Sequence, residues 1–129
     1  MMHARFLARA AAGLLLAAAL FVASGALARS TPEALPDIAT SALPSEAREV
    51  MASIRTGGPF RFERDGVVFG NRERILPPQG RGYYHEYTVH TPGTKSRGAR
   101  RIVCGGPQRA PTVCYYTSDH YQSFARIRE

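Results

Sequence analysis

Glu86 stands in the middle of an aromatic, β-branched run, Tyr83 to His90 (YYHEYTVH). A carboxylate in such a strand is costly to bury unless it is paired. The following run, KSRGARR, offers Arg97, Arg100 and Arg101 as partners. Arg97 and Arg101 lie on either side of Gly98-Ala99, so both could converge on one point. Guanidiniums converging beside a carboxylate make a phosphate-sized, partly positive pocket. Further on, Asp119-His120-Tyr121 occupies an expected turn, where an imidazole can stand over a sheet face. One carboxylate base, one imidazolium acid and two arginines suit cleavage of RNA by internal transesterification. The carboxylate takes the ribose 2′-OH proton, the imidazolium protonates the leaving 5′-oxygen, and the arginines stabilise the charged phosphorane. Singly, each group has a plainer reading: a structural Glu–Arg pair, a solvated histidine, an exposed basic face. The combination carries the expectation. The chemistry requires no metal and no cofactor, and no metal-ligand spacing is evident among 4 His, 10 acidic residues and 2 Cys.

The chain that must position these groups has 129 residues, which allows one domain and excludes a multidomain enzyme. Its formal charge is +7, from 17 basic and 10 acidic residues, and Lys95 is the only lysine. An arginine-rich surface points to an anionic partner. Residues 1–28 read as a signal peptide: Arg5 and Arg9 precede an apolar stretch that ends in Ala26-Leu27-Ala28, an A-x-A cleavage site. An uncleaved anchor is the alternative, since the stretch is long enough to span. Cleavage after Ala28 predicts a secreted, extracellular protein with no membrane attachment. Residues 29–40 (RSTPEALPDIAT) have no clear period and read as a flexible lead-in or pro-segment, with the folded domain over 41–129.

In LPSEAREVMASIRTGGP, Ala47, Val50, Met51 and Ile54 make one apolar stripe at helical spacing. Pro44 suits the first turn, and Gly57-Gly58-Pro59 stops the helix. The remainder reads as strands: Val67–Phe69, Tyr83–His90, Ala99–Cys104, Val113–Thr117 and Tyr121–Ile127. The expected class is α+β, one N-terminal helix packed on a twisted antiparallel sheet. Period two puts Tyr84, Glu86, Thr88 and His90 on one face, and Tyr83, His85, Tyr87 and Val89 on the other. His90 would lie too far from Glu86 to share its chemistry. Cys104 and Cys114 fall at facing strand ends, so export and an even count predict a disulfide across that hairpin. The alternative is two buried thiols.

From about Leu43 to Ile127 the sequence resembles the secreted bacterial guanyl-specific ribonucleases of the barnase-type microbial family, in its small actinomycete-type branch. DGVVFGNRE (Asp65–Glu73), YYHEYTV (Tyr83–Val89), TPGTKSRGARRI (Thr91–Ile102) and YYTSDHYQSF (Tyr115–Phe124) carry the likeness. The resemblance implies the microbial ribonuclease fold and cleavage of single-stranded RNA 3′ to guanosine through a 2′,3′-cyclic phosphate. It implies Glu86 as general base, His120 as general acid, and Arg97 and Arg101 as the phosphate-binding pair, with Tyr121 lining the phosphate site. It also implies Phe69 packing on guanine, Glu73 as the carboxylate receptor, and Asn71 and Arg72 as backbone N–H donors to the base. An acidic, barstar-like intracellular inhibitor and a monomeric state are further implications. Guanine presents N1–H and N2–H donors that Glu73 can accept. Adenine lacks the N1–H and would leave that carboxylate facing an acceptor. Otherwise Glu73 reads as an ion pair with Arg72 or Arg74. Gly70 departs from the family pattern, where a side chain is common. The hairpin after Cys104 looks longer than usual, and no cysteine lies near either mature end. A competing class is a non-catalytic secreted module that binds nucleic acid or another polyanion. A toxin using the same chemistry is a third.

Overall fold

The computed structural model describes residues 34–129, with Gly13 and Ala18 as isolated positions before them. The predicted signal peptide and the start of the lead-in fall outside the described residues. Among those described, no helix is long and apolar enough to cross a membrane.

The elements run β1 (Asp37–Ala39), a 3-10 turn (Thr40–Ala42), α1 (Ser45–Thr56), β2 (Tyr84–Thr88), β3 (Arg101–Gly105), β4 (Val113–Thr117) and β5 (Ala125–Arg128). Helix α1 begins just after Pro44, whose carbonyl accepts from the amides of Ala47 and Arg48. It ends at Gly57, whose φ of 78° provides the left-handed turn a helix C-terminus favours. Its stripe buries Ala47, Met51 and Ile54 against Tyr87, Val89, Ile102 and the Cys104–Cys114 pair. Full burial of an isoleucine such as Ile54 contributes roughly 1.5–3 kcal/mol.

The sheet order is β1-β5-β4-β3-β2. The pairs β2/β3, β3/β4 and β4/β5 are antiparallel, while β1 runs parallel to β5, so the sheet is mixed rather than wholly antiparallel. Strand β1 lies inside the stretch expected to be a lead-in. Half-buried Ile38 pairs with Ile127 in register, and the Arg126 amide donates to Pro36 O at 2.7 Å. The folded body therefore starts before Ser41. Val67–Phe69 makes only an isolated bridge, Val68 to His85, rather than a strand. Strand β5 begins at Ala125, four residues later than expected, because Tyr121–Phe124 completes a turn.

A second core covers the opposite face of the sheet. It holds Leu76, Tyr84, Val103, Tyr115 and Phe124, with half-buried Phe69 and Tyr121 packed on it. Glu86 belongs to this face, as period two requires. Register places Thr88, Arg101 and Thr117 side by side across β2, β3 and β4. The disulfide joins directly paired residues of β3 and β4. The hairpin it closes reaches back over the helix end, where Gln108 Nε2 donates to Gly66 O at 3.1 Å and Arg109 donates to Thr56 O.

Candidate active site

Glu86 is 7% exposed. Its Oε2 accepts a hydrogen bond from the Tyr121 hydroxyl at 2.8 Å, and its Oε1 lies 3.6 Å from Arg97 Nη2. That nitrogen is buried and has no hydrogen-bond partner, so a donor faces the site unused. Thr88 aims the Arg97 side chain by accepting from its Nε at 3.1 Å. Arg101, only 2% exposed, is held more firmly. Its Nη1 donates to Gly98 O at 3.0 Å and Arg100 O at 2.8 Å, and its Nε donates to the Tyr121 hydroxyl at 3.1 Å. Two guanidiniums and the carboxylate thus converge. Arg100, also considered as a partner for Glu86, turns to the helix side and pairs with Glu46 at 3.3 Å. The reason is alternation: Arg100 and Arg101 are neighbours in an extended chain and point to opposite faces.

Tyr121 ties this group to its surroundings. Its ring centroid lies 4.9 Å from that of His120 and 5.0 Å from that of Phe69, stacked at 27°. Burial, followed by the hydrogen bond to Glu86, pushes the Tyr121 phenol up to about 12. His120 is exposed, and its amide donates to Ala99 O at 2.9 Å. Both residues adopt left-handed backbone, with φ of 55° and 72°.

Beside them lies a cavity of about 730 Å³, lined on one wall by Phe69, Gly70, Asn71, Arg72 and Glu73 and on the other by His120, Tyr121, Gln122 and Phe124. The Asn71 side chain closes its own loop: Nδ2 donates to Leu76 O at 2.9 Å, and Oδ1 accepts from the Leu76 amide at 3.2 Å. With φ of 49° at Asn71, the loop turns back on itself, and its residues Phe69 to Glu73 line the cavity. Glu73 is exposed at the rim and has no ion-pair partner among the described residues, so the expected alternative of a pair with Arg72 or Arg74 does not form. At Gly70 an added Cβ would meet only the Arg72 side chain, at 3.7 Å.

Every predicted site residue lies either in the Glu86 cluster or on this cavity, and Tyr121 is common to both. His85 and His90 take no part. His90 follows the end of β2, where strict alternation ceases, and lines a cleft with Glu46, Val50 and Phe60 on the helix side rather than sharing the Glu86 face. Sequence reasoning named Thr88 on the Glu86 face and Asp119 in the turn without giving either a role, and gave Thr117 and Ser123 none. The signal for the last three was short polar side chains clustered around a turn. No group of three or more potential metal ligands occurs among the described residues.

The fold and the site define a single-helix α+β domain in which a buried Arg101 and a half-buried Arg97 stand with the buried Glu86 carboxylate beside a cavity with an aromatic wall. A family model described as ribonuclease matches residues 28–128. The chain shares 52% identity over 90 residues with guanyl-specific ribonuclease Sa of Kitasatospora aureofaciens, covering 70% of this chain and 91% of that one. It shares 52% over 95 residues with guanyl-specific ribonuclease Sa3 of the same organism, covering 74% of this chain and 65% of the relative. A solved structure of ribonuclease Sa2 complexed with mononucleotides superimposes with a TM-score of 0.69 at 48% identity, covering 74% of this chain and 96% of the other. Another, of Sa2 with guanosine-2′-cyclophosphate, gives 0.67, also at 48%. The chain belongs to the ribonuclease family.

Proposed function

We propose that this chain is a guanyl-specific endoribonuclease that cleaves single-stranded RNA on the 3′ side of guanosine through a 2′,3′-cyclic phosphate. The observation that carries the reading is the shared wall. Tyr121 hydrogen-bonds Glu86 and packs against both His120 and Phe69, so the proton-transfer groups and the base cavity adjoin. Relatives named guanyl-specific support the base preference.

In this scheme guanine enters the cavity against Phe69. Glu73 accepts from N1–H and N2–H, and the amides of Asn71 and Arg72 donate to the acceptor edge. Glu86 withdraws the ribose 2′-OH proton, the freed O2′ attacks phosphorus, and the P–O5′ bond breaks. His120 delivers the proton that O5′ needs. Arg97, with its uncommitted Nη2, and Arg101 stabilise the additional negative charge on the phosphoryl oxygens. The base and the acid each account for roughly 10²–10⁴-fold. DNA lacks the 2′-OH and binds without reacting.

The deciding experiment digests an oligoribonucleotide containing a single guanosine, in the presence of chelator, and weighs the fragments. A cut 3′ to the guanosine with a cyclic phosphate end supports the reading. Intact but retarded RNA supports a binding module instead. Glu86→Gln should retain binding and abolish cutting. The family match begins at residue 28, beside the predicted cleavage point, which supports removal of a leader and secretion. The cationic site suits an acidic, barstar-like inhibitor in the producing cell, and low-salt pull-down of an acidic protein is the corresponding test. A monomer in sedimentation is expected.

A further inference from the structure

We infer that Asp119 is a positioning residue for the general acid, acting through a clamp it forms with Thr117 and Ser123. The inference rests on the role proposed above for His120. Two consecutive non-glycine residues, His120 and Tyr121, hold left-handed backbone at φ 55° and 72°. Such conformations persist only where surrounding structure over-determines them. Here the surrounding structure is specific. Thr117 Oγ1 donates to Asp119 Oδ1 at 2.8 Å and accepts from the Tyr121 amide at 3.2 Å. Asp119 Oδ1 also accepts from the Ser123 amide at 2.9 Å, and its Oδ2 accepts from the Ser123 hydroxyl.

The clamp therefore spans residues 117–123 and encloses both left-handed residues. Thr117 is 2% exposed on β4, directly across from Arg101, so the clamp is anchored in the sheet. The His120 ring has no hydrogen bond among the described residues, so its direction rests on the backbone that the clamp holds and on the neighbouring Tyr121 ring, whose amide the clamp also binds. These bonds, the Ser123 hydroxyl first, keep the Asp119 carboxylate below its ordinary range and hence ionised. An ionised carboxylate is the stronger acceptor for all three donors.

The test separates proton delivery from general damage. Asp119→Ala, Asp119→Asn and Ser123→Ala are compared with His120→Ala in the mature chain. Two substrates are used. The dinucleotide GpC has an alkoxide leaving group that needs a proton. Guanosine 3′-(para-nitrophenyl phosphate) has a phenolate leaving group that does not. His120→Ala should lose about 10²–10⁴-fold on the dinucleotide and far less on the aryl ester. Asp119→Ala should show the same leaving-group pattern, with kcat on GpC down about tenfold or more and KM little changed. Ser123→Ala should move in the same direction, and Asp119→Asn, which keeps the Oδ1 acceptor, should recover part of the loss. Equal losses on both substrates, or none, from both Asp119→Ala and Ser123→Ala would overturn the inference. Should His120→Ala itself show no leaving-group dependence, the acid assignment falls and this inference with it. Dependence in His120→Ala alone defeats only the role of Asp119.

Discussion

The Tyr121 hydroxyl donates a 2.8 Å hydrogen bond to Glu86 Oε2 while accepting one from Arg101 Nε. A neutral phenol is thus inserted between a buried carboxylate and a buried guanidinium, satisfying one lone pair and one donor. The ring that carries it stacks on Phe69. Replacing Tyr121 by Phe keeps the stacking and deletes both bonds. A hydrogen bond to a charged group contributes about 1.5–3 kcal/mol, so Tyr121→Phe should be less stable by that order in denaturant unfolding. Unchanged stability would show that water replaces the phenol without loss.

Alkaline pH should act on the same contact. Burial raises the phenols of Tyr84 and Tyr121 to about 12, and raises those of Tyr87, Tyr115 and Tyr116 as well. A raised folded-state value means the neutral phenol is favoured by folding. The associated stability is complete below the unfolded value of 10.0 and is lost as pH climbs towards 12. Phenolate absorbance should therefore appear late and together with unfolding, and Tyr121→Phe should remove one late-titrating group. Early titration of all 6 tyrosines would contradict the packing described.

Acid should release the clamp at the turn. The Ser123 hydroxyl, with the Ser123 amide and Thr117, lowers the Asp119 carboxylate below 3.8. A depressed folded-state value contributes stability that is present above 3.8 and is lost as pH falls through the lower folded value. The melting temperature of the wild type should exceed that of Asp119→Asn above that window, and the two should converge below it. A constant offset at all pH values would assign the difference to packing rather than charge.

The hairpin disulfide closes a short loop, with a sequence separation of 10. Chain-entropy arguments give about 2–3 kcal/mol for such a loop. The double variant Cys104→Ser/Cys114→Ser should lose that much in equilibrium unfolding and still cut RNA in the cold, because the sulfurs lie on the helix side of the sheet, away from Glu86. Loss of cutting without loss of fold would show that the hairpin shapes the site.

Much of this was legible because local chemistry and tertiary need agreed. The stripe Ala47, Met51, Ile54 had one periodicity and one place to go. Glu86 was legible because a charge in an aromatic strand must have partners, and period two correctly separated it from Tyr87. Strand β1 was not legible: three residues with one large apolar side chain, Ile38, carry no pattern, and their parallel partner lies at the far end of the chain. The late start of β5 was hidden for a different reason. Tyr121 and Phe124 have strand-like side chains, but a hydroxyl and a carboxylate at Thr117 and Asp119 impose a turn on them. The two walls of the cavity come from residues about fifty apart, so sequence named each wall but could not show that they meet.

Gly70 bears on how such a protein could diversify. Its backbone is outside the left-handed region and an added Cβ would touch only the flexible Arg72 side chain, so a small side chain such as alanine is accommodated there. A substituent at that spot borders the cavity, whose lining does not include Glu86, Arg97 or Arg101. If guanine occupies this cavity as proposed, Gly70 is a place where the shape of the base site can vary without a change to the Glu86 cluster.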